Sequence, residues 1–142
     1  MKKLILTLTA ALFALPLLAG DFPAGSPKFE HSLPTAEAKA KKSGKPLVVV
    51  FSAAWCGPCQ LMKKEVYPSA EVKALHDKFE WAYLDVDDES NAPAAKKFEV
   101  SGIPHVQFID KDGKPLGSQV GSTSPGDFAA TLKKMLAKSS KS

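Results

Sequence analysis

Two cysteines three positions apart are the residues of this chain best suited to chemistry. Cys56 and Cys59 are the only cysteines among 142 residues, and Gly57 and Pro58 separate them. A cysteine at the first turn of a helix meets unpaired backbone N–H groups, which stabilise its thiolate. A second cysteine one turn later lies on the same face and can displace a mixed disulfide formed on the first. The spacing therefore predicts thiol–disulfide exchange.

Three other uses of such a pair compete with exchange. A zinc site needs about four ligands, and the available histidines, His31, His76 and His105, have no finger-like spacing. Covalent haem needs a histidine directly after the second cysteine, where this chain has Gln60. A purely structural disulfide across so short a loop would remove little entropy from the unfolded chain. Exchange is favoured, and we expect no metal and no cofactor beyond the disulfide itself.

The elements predicted around the pair place it at the carboxyl end of a central strand. Residues 47–51 form an unbroken apolar run, which is typical of a strand buried on both faces. We expect Thr35 to cap the first helix and Ser124 to cap the last. Further patterns predict helices over 36–43, 59–66, 70–76 and 91–98 and strands over 81–86, 106–109 and 115–120. This order predicts an α/β fold: a central mixed sheet of four to five strands with helices on both faces.

The first residues resemble a processing signal. Lys2 and Lys3 precede an apolar run that is interrupted by Pro16, and small residues follow at Ala19 and Gly20. We expect residues 1–19 to be a cleaved signal peptide, since the apolar run is short for the alternative, a transmembrane anchor. The predicted organisation continues with an extended lead segment over 20–34, a domain over 35–138 and a tail over 139–142.

The charge of the chain argues against nucleic acid as a partner. All basic side chains other than histidine are lysines, and arginine is the side chain best suited to phosphate and guanine recognition. Loss of residues 1–19 would remove two lysines and no acid, which takes the formal charge from +4 to +2. We read the lysine-rich stretches as solvated surface.

One family combines these features. The segment Trp55-Cys56-Gly57-Pro58-Cys59 after an apolar strand, with Gly102-Ile103-Pro104 further on and Gly121 before the last helix, resembles the thioredoxin family over roughly residues 46–137. Residues 43–46 and 59–72 more closely resemble its exported members, including the carboxy-terminal domain of the bacterial transmembrane disulfide reductase. The resemblance implies a thioredoxin-like fold with Cys56 attacking and Cys59 resolving.

The resemblance also implies roles for the neighbours of the cysteines. Trp55 is implied to cover the site, with packing at the end of a strand as the alternative. Ile103 and Pro104 are implied to form a cis peptide bond facing the cysteines, with Ile103 presenting its backbone to an extended partner segment. Gly57 leaves room for that partner, and Pro58 fits an early helical position.

The chain departs from cytosolic thioredoxins at their proton relay. The buried aspartate and companion lysine of those proteins align here with Val50 and Tyr83. Deprotonation of Cys59 is therefore left to water, to Lys63 one turn later or to His105 beside the proline. His105 is a candidate because histidine ordinarily titrates near neutral pH, and a solvent-facing strand histidine is the alternative.

These observations predict an exported thiol–disulfide oxidoreductase, most simply in a bacterial periplasm. The Gly-Pro dipeptide favours a reductase of disulfides in other exported proteins, with a membrane protein as electron donor. The alternatives are a disulfide oxidase or isomerase, and a non-catalytic module that holds extended clients.

Overall fold

A five-stranded mixed sheet forms the centre of the molecule. The computed structural model describes residues 22–142. The strands are β1 (Phe29–Glu30), β2 (Leu47–Ser52), β3 (Glu80–Asp85), β4 (His105–Ile109) and β5 (Pro115–Val120), in the spatial order β1-β3-β2-β4-β5. β2 is parallel to β3 and antiparallel to β4, and β4 and β5 form an antiparallel hairpin. The predicted mixed sheet is confirmed.

Helices cover both faces of this sheet. They are α1 (Leu33–Ser43), α2 (Gly57–Leu61), α3 (Ala70–Lys73), α4 (Ala92–Lys97) and α5 (Pro125–Ser139). α2 continues into a π-helical turn over Met62–Val66, and short 3₁₀ turns lie at His76–Lys78 and Glu89–Asn91. Every residue of β2 is buried, as expected for a central strand that is covered on both sides.

Alternation along β2 divides the interior into two cores. Val48 and Val50 face one core, together with side chains of the π turn and α5, including Met62, Val66, Phe128, Leu132 and Met135. Leu47, Val49 and Phe51 face the other core, together with α1 and α4. Because successive side chains of a strand point to opposite faces, one apolar run supplies both cores.

The first helix begins earlier than the sequence pattern predicts. α1 starts at Leu33, and its cap is Ser32, whose Oγ accepts a hydrogen bond from the Thr35 N–H at 3.4 Å. The prediction of Thr35 as the cap is therefore wrong. Pro34 lies in the first helical turn, where a missing N–H costs nothing, so it belongs to the helix and does not precede it.

The predicted lead segment also contains a strand. β1 pairs with β3 in parallel, with Phe29 opposite Trp81 and Glu30 opposite Ala82. The ring of Phe29 packs edge-on against Tyr83, with ring centroids 5.4 Å apart. The predicted signal peptide lies outside the described residues, and within residues 22–142 no helix is long and apolar enough to cross a membrane.

The last helix matches its prediction. The Ser124 Oγ caps α5 by accepting a hydrogen bond from the Asp127 N–H at 3.2 Å, and it donates to the Asp127 carboxylate at 2.7 Å. Phe128 and Leu132 are fully buried on the apolar face of α5. The reciprocal cap and the buried stripe together hold this helix on the sheet.

Candidate active site

The two cysteines lie at the start of α2, directly after the buried end of β2. Cys56 is the N-cap of α2 with an extended backbone, and its Sγ accepts a hydrogen bond from the Cys59 N–H at 3.3 Å. Gly57 and Pro58 form the first helical turn between them. Cys56 and Cys59 are joined in a disulfide. The backbone N–H groups of this turn are positioned to stabilise a thiolate at Cys56 once the disulfide is reduced.

The two sulfur-bearing residues differ in exposure. Cys56 is 5% exposed and Cys59 is 1% exposed. Both pack in a small cluster with Ala53, and Val86 and Ile103 lie against it. A partner approaching from solvent therefore meets Cys56 first, and Cys59 is shielded behind it.

Trp55 projects from the same turn into solvent. Its side chain is 70% exposed, and its indole Nε1 donates a hydrogen bond to an Asp87 carboxylate oxygen at 2.8 Å. This bond holds the ring beside the cysteine pair, away from either core. The covering role of Trp55 stays a prediction. The exposure of its ring does not fit the alternative, in which Trp55 would be packed at the end of a strand.

The Ile103–Pro104 segment lies against the cysteine cluster. The peptide bond between the two residues is cis, as the resemblance implies. The Pro104 carbonyl accepts a hydrogen bond from the Gly121 N–H at 2.8 Å, which ties this loop to the end of β5. Within the described residues, neither the N–H nor the carbonyl of Ile103 takes part in a hydrogen bond. Those two groups remain available to an extended partner.

The structure separates the two side chains considered for proton transfer. His105 is buried on the α1 and α4 side of the sheet, where its ring meets the ring of Phe51 with centroids 5.8 Å apart. Lys63 lies on the opposite side, with Nζ 4.4 Å from the centroid of the Phe22 ring. Across residues 22–142, neither side chain forms a hydrogen bond with Cys59.

A hydroxyl pair lies on the α2 side of the sheet, and the sequence patterns did not indicate it. Val50 and Tyr83 are direct register partners across β2 and β3, so the two relay positions do come together. The Tyr83 hydroxyl bonds the Oγ of the fully buried Ser52 at 2.6 Å. Burial raises the pKa of Tyr83 above its ordinary value, and the bond to Ser52 opposes that shift. The sequence feature that could have pointed to Ser52 is its polar side chain directly after the apolar run 47–51.

A cleft of about 350 Å³ lies next to this pair. Its lining includes Phe22, His31, Gln60, Lys63, Tyr83 and Asp85. The carbonyls of two β3 residues at its border are already bonded by side chains: His31 Nδ1 donates to the Tyr83 carbonyl at 3.3 Å, and Asn91 Nδ2 donates to the Asp85 carbonyl at 2.9 Å. The cleft therefore combines aromatic walls with groups of both charges. Throughout the described part of the chain, no three His, Cys, Asp or Glu side chains come together in a way that could hold a metal ion.

Comparisons with known proteins agree with this geometry. A family model described as a thioredoxin-like domain matches residues 33–136. The chain is 36% identical over 110 residues to the chloroplastic thioredoxin-like protein HCF164 of Oryza sativa subsp. japonica, a match that covers 78% of this chain and 40% of that protein. It is 32% identical over 96 residues to a protein disulfide-isomerase of Hordeum vulgare, which covers 67% of this chain and 19% of the isomerase. The chain thus spans less than half the length of these curated relatives.

A solved structure supports the same assignment. The solution structure of a thioredoxin from Thermus thermophilus superimposes with a TM-score of 0.71 at 27% identity, covering 80% of this chain and 90% of that one. The family model extends over most of the chain, and the cysteine pair and the cis-proline loop lie within it. The chain therefore belongs to the thioredoxin-like family.

Proposed function

We propose that this protein is a thiol–disulfide oxidoreductase that reduces disulfides in other exported proteins. The observation that carries the proposal is the arrangement of the cysteine pair: Cys56 caps a helix and is the more exposed of the two, at 5% against 1%, and Cys59 lies within bonding distance of it. This arrangement supplies an activated nucleophile and a second thiol that is held ready to complete the exchange.

The exchange proceeds in two steps that balance. The Cys56 thiolate attacks one sulfur of a client disulfide, which forms the Cys56–client bond and releases the other client sulfur as a thiolate. The Cys59 thiol then loses its proton and attacks Cys56, forming the Cys56–Cys59 disulfide and releasing the second client thiolate. The released thiolates take up protons from water. Two electrons pass from the cysteine pair to the client.

The backbone of the Ile103–Pro104 loop favours an extended client segment as the binding partner. The free N–H and carbonyl of Ile103 lie beside the cysteines, so a strand-like segment could bond there while its own sulfur meets Cys56. The exposed Trp55 offers apolar surface on the same side of the molecule. The free backbone groups of Ile103 beside the cysteine pair favour unfolded or loop segments of cysteine-containing proteins as clients.

The direction of transfer and the location rest on the sequence. The Gly57–Pro58 dipeptide is that of thioredoxin, whose reduction potential is about −270 mV, whereas the strongly oxidising periplasmic enzyme lies near −120 mV. A reductase in an oxidising compartment needs a source of electrons, for which we propose a membrane protein. Cell fractionation tests the periplasmic location, and a measured potential near the oxidising extreme would contradict the reductase assignment.

A trapping experiment tests the exchange itself. Cys59→Ser leaves Cys56 able to attack but removes the resolving thiol, so clients should accumulate as mixed disulfides on Cys56 that a reductant releases. The matched control is the double variant Cys56→Ser with Cys59→Ser, which should trap nothing. If Cys59→Ser also traps nothing while the protein still binds extended clients, the chain is a binding module and the proposed function is wrong. Reduction of insulin by the unaltered protein is the second readout.

A further inference from the structure

One stretch of the outer edge of β5 has backbone groups without partners. In an antiparallel pair, residues alternate between bonding the neighbouring strand and pointing away from it. The Gly121 N–H bonds the Pro104 carbonyl at 2.8 Å, so the ladder between β4 and β5 runs through Gly121 and, two residues earlier, through Gln119. The N–H and carbonyl groups of Ser118 and Val120 therefore point outward. Within the described part of the chain, no loop backbone and no side chain bonds them.

The other end of β5 is protected against strand addition. Pro115 has no N–H to donate, and Lys138 Nζ donates a hydrogen bond to the Leu116 carbonyl at 3.1 Å. The register between β4 and β5 also shifts between Phe108 and Ile109, and such an irregularity bends an edge away from a regular partner. The unprotected stretch is therefore confined to residues 118–120, which we call the open β5 edge.

The side chains of this stretch let another backbone approach. β5 carries no charged side chain, although charged residues make up 24% of the chain and are the usual means of blocking an edge. Ser118 is small and exposed, and Val120 is 59% exposed, which leaves apolar surface beside the free backbone groups. An uncharged and accessible edge is what strand addition requires.

The open β5 edge adjoins the loop beside the cysteines. A Cβ placed on Gly102 would lie 3.8 Å from Val120 Cγ1, so the Val120 side chain reaches the loop that carries Ile103. Ile103 in turn packs against the cysteine cluster. The free backbone of Ile103 and the open β5 edge thus lie on one continuous surface.

We propose that the open β5 edge binds a second extended segment of the client whose sulfur Cys56 attacks. This inference rests on the proposed function. The occupant is a client segment because the open stretch stops at the loop where the cysteines are reached, while the far end of the same strand is closed. Ser118 and Val120 together offer four backbone groups, so an added strand forms at most about four hydrogen bonds. So few bonds suit a client that must leave once it is reduced.

The spacing of the strands sets how far this segment lies from the client cysteine. Cys56 follows β2, and β4 and β5 separate β2 from the added strand. Neighbouring strands are about 4.8 Å apart, so the added strand lies about 14 Å from the line of β2. An extended chain covers about 3.3 Å per residue, which places the segment about four to five residues from the client cysteine.

A pair of peptide disulfides tests this contact. Each peptide has one cysteine joined to nitrothiobenzoate. The Cys56 thiolate attacks the peptide sulfur and releases nitrothiobenzoate, which absorbs visible light, and Cys59 then attacks Cys56 and releases the peptide thiol. The long peptide has about ten alternating threonine and valine residues on each side of its cysteine, and the short one has about two. At low peptide concentration, the reduced unaltered protein should react about tenfold faster with the long peptide.

A proline substitution separates strand addition from other contacts. Ser118→Pro removes an outward N–H and leaves the pairing of Gln119 with β4 in place, since an edge position whose N–H faces solvent tolerates proline. This variant should react normally with the short peptide and lose the preference for the long one. The matched control, Ser118→Ala, keeps the N–H and should keep the preference. A long peptide with N-methylated tails, which cannot pair as a strand, should react like the short one.

Amide hydrogen exchange locates the contact without any variant. The oxidised protein is mixed with an excess of the long peptide, with serine in place of its cysteine. The Ser118 and Val120 amides should exchange more slowly in its presence, whereas the Gln119 amide, which already faces β4, should not change. Protection of the same amides without peptide, together with a doubled mass in sedimentation, would assign the edge to a second copy of the chain and overturn the proposal.

The outcomes also distinguish the open β5 edge from the proposed function. If the unaltered protein releases no nitrothiobenzoate from the short peptide, exchange through Cys56 is absent and the proposed function fails. If it reacts equally fast with both peptides, or if Ser118→Pro or the N-methylated tails keep the preference, the edge proposal alone is overturned. Unprotected Ser118 and Val120 amides in the presence of the peptide would count against it as well.

Discussion

The helices α2 and α5 begin with related four-residue segments, Cys56-Gly57-Pro58-Cys59 and Ser124-Pro125-Gly126-Asp127. In both, the first residue caps the helix by accepting a hydrogen bond from the N–H of the fourth, at 3.3 Å for sulfur and 3.2 Å for oxygen. In both, glycine and proline fill the first turn. The same local geometry therefore serves both helices, and the chemistry of the two polar positions is what separates them.

The fourth residue shows the difference most clearly. In α5 it is Asp127, which is exposed and binds its cap through a hydrogen bond of 2.7 Å. In α2 it is Cys59, which is buried and joined to its cap by a covalent bond. A carboxylate and a hydroxyl can only stabilise the helix, whereas two thiols in those positions can exchange electrons. A stable helix start becomes a reactive one by substitution of two side chains.

The largest expected effect is on α2. Cys56→Ser gives this helix the same cap residue that α5 has, and serine is among the best helix caps. We expect the rate of insulin reduction to fall by at least about a thousandfold, as happens when a covalent nucleophile is lost. The free energy of unfolding, compared with that of the reduced unaltered protein, should change by less than about 1 kcal/mol. Retained activity would show that the cap sulfur is not the nucleophile.

The next largest effect concerns how each helix is anchored. Phe128 follows the α5 cap segment and is fully buried, so Phe128→Ala should cost about 3–5 kcal/mol of unfolding free energy in denaturant titration. Leu61 in α2 is 46% exposed, and Leu61→Ala should change stability by only about 0.5 kcal/mol. Equal losses in the two variants would contradict the view that α5 is held by burial while α2 exposes part of its surface.

A smaller effect is expected at the α5 cap. Ser124→Ala removes the acceptor for the Asp127 N–H and should lower the unfolding free energy by about 1 kcal/mol. The rate of insulin reduction should stay unchanged, because this helix start lies outside the cysteine site. Ser124→Asp, which can still cap the helix, is the matched control and should keep most of the stability.

The smallest effect distinguishes the far ends of the two helices. The π turn after α2 is followed by Tyr67, whose carbonyl accepts a hydrogen bond from His76 Nε2 at 2.8 Å. By contrast, α5 ends in serine hydroxyls, which do not titrate near neutral pH. Partial burial lowers the pKa of His76, so the folded protein binds protons more weakly than the unfolded chain. Stability from this group is present above the ordinary histidine pKa of about 6.5 and is lost as pH falls through the lowered value.

His76→Gln tests this assignment, since glutamine can still donate to the Tyr67 carbonyl but does not titrate. Unfolding free energies measured between about pH 7 and pH 5 should fall less steeply in the variant than in the unaltered protein. The Cys56→Ser variant should keep the original slope, because the two sites are separate. An unchanged slope in His76→Gln would assign the pH dependence to other groups.

Local patterns were sufficient to predict the reactive helix, the buried strand before it and the Ser124 cap. Each of these depends on residues within a few positions of one another, which is the range over which spacing and capping act. The start of α1 was misplaced because Pro34 fits both a turn and a first helical position. The sequence alone favoured the turn, whereas the structure places Pro34 inside the helix.

Contacts between distant residues could not be predicted in this way. β1 is two residues long and exists through its pairing with β3, more than fifty positions later. The Ser52–Tyr83 bond joins residues 31 positions apart. In the sequence, Ser52 therefore looked like an ordinary polar residue at the end of a strand. The alignment of Val50 and Tyr83 with the relay of cytosolic thioredoxins showed that a group was missing, and only the fold showed which side chains lie there.

The side chains that bond the outer carbonyls of β3 have a consequence for aggregation. A strand edge with unpaired carbonyls is a template on which another chain can add a strand, and β1 is too short to protect the whole of β3. Past the two residues that β1 pairs with, His31 donates a hydrogen bond to the Tyr83 carbonyl and Asn91 donates one to the Asp85 carbonyl. Strand addition at these two carbonyls is thereby opposed on this edge of the sheet, whereas the backbone groups of Ile103 stay free of hydrogen bonds within the described residues.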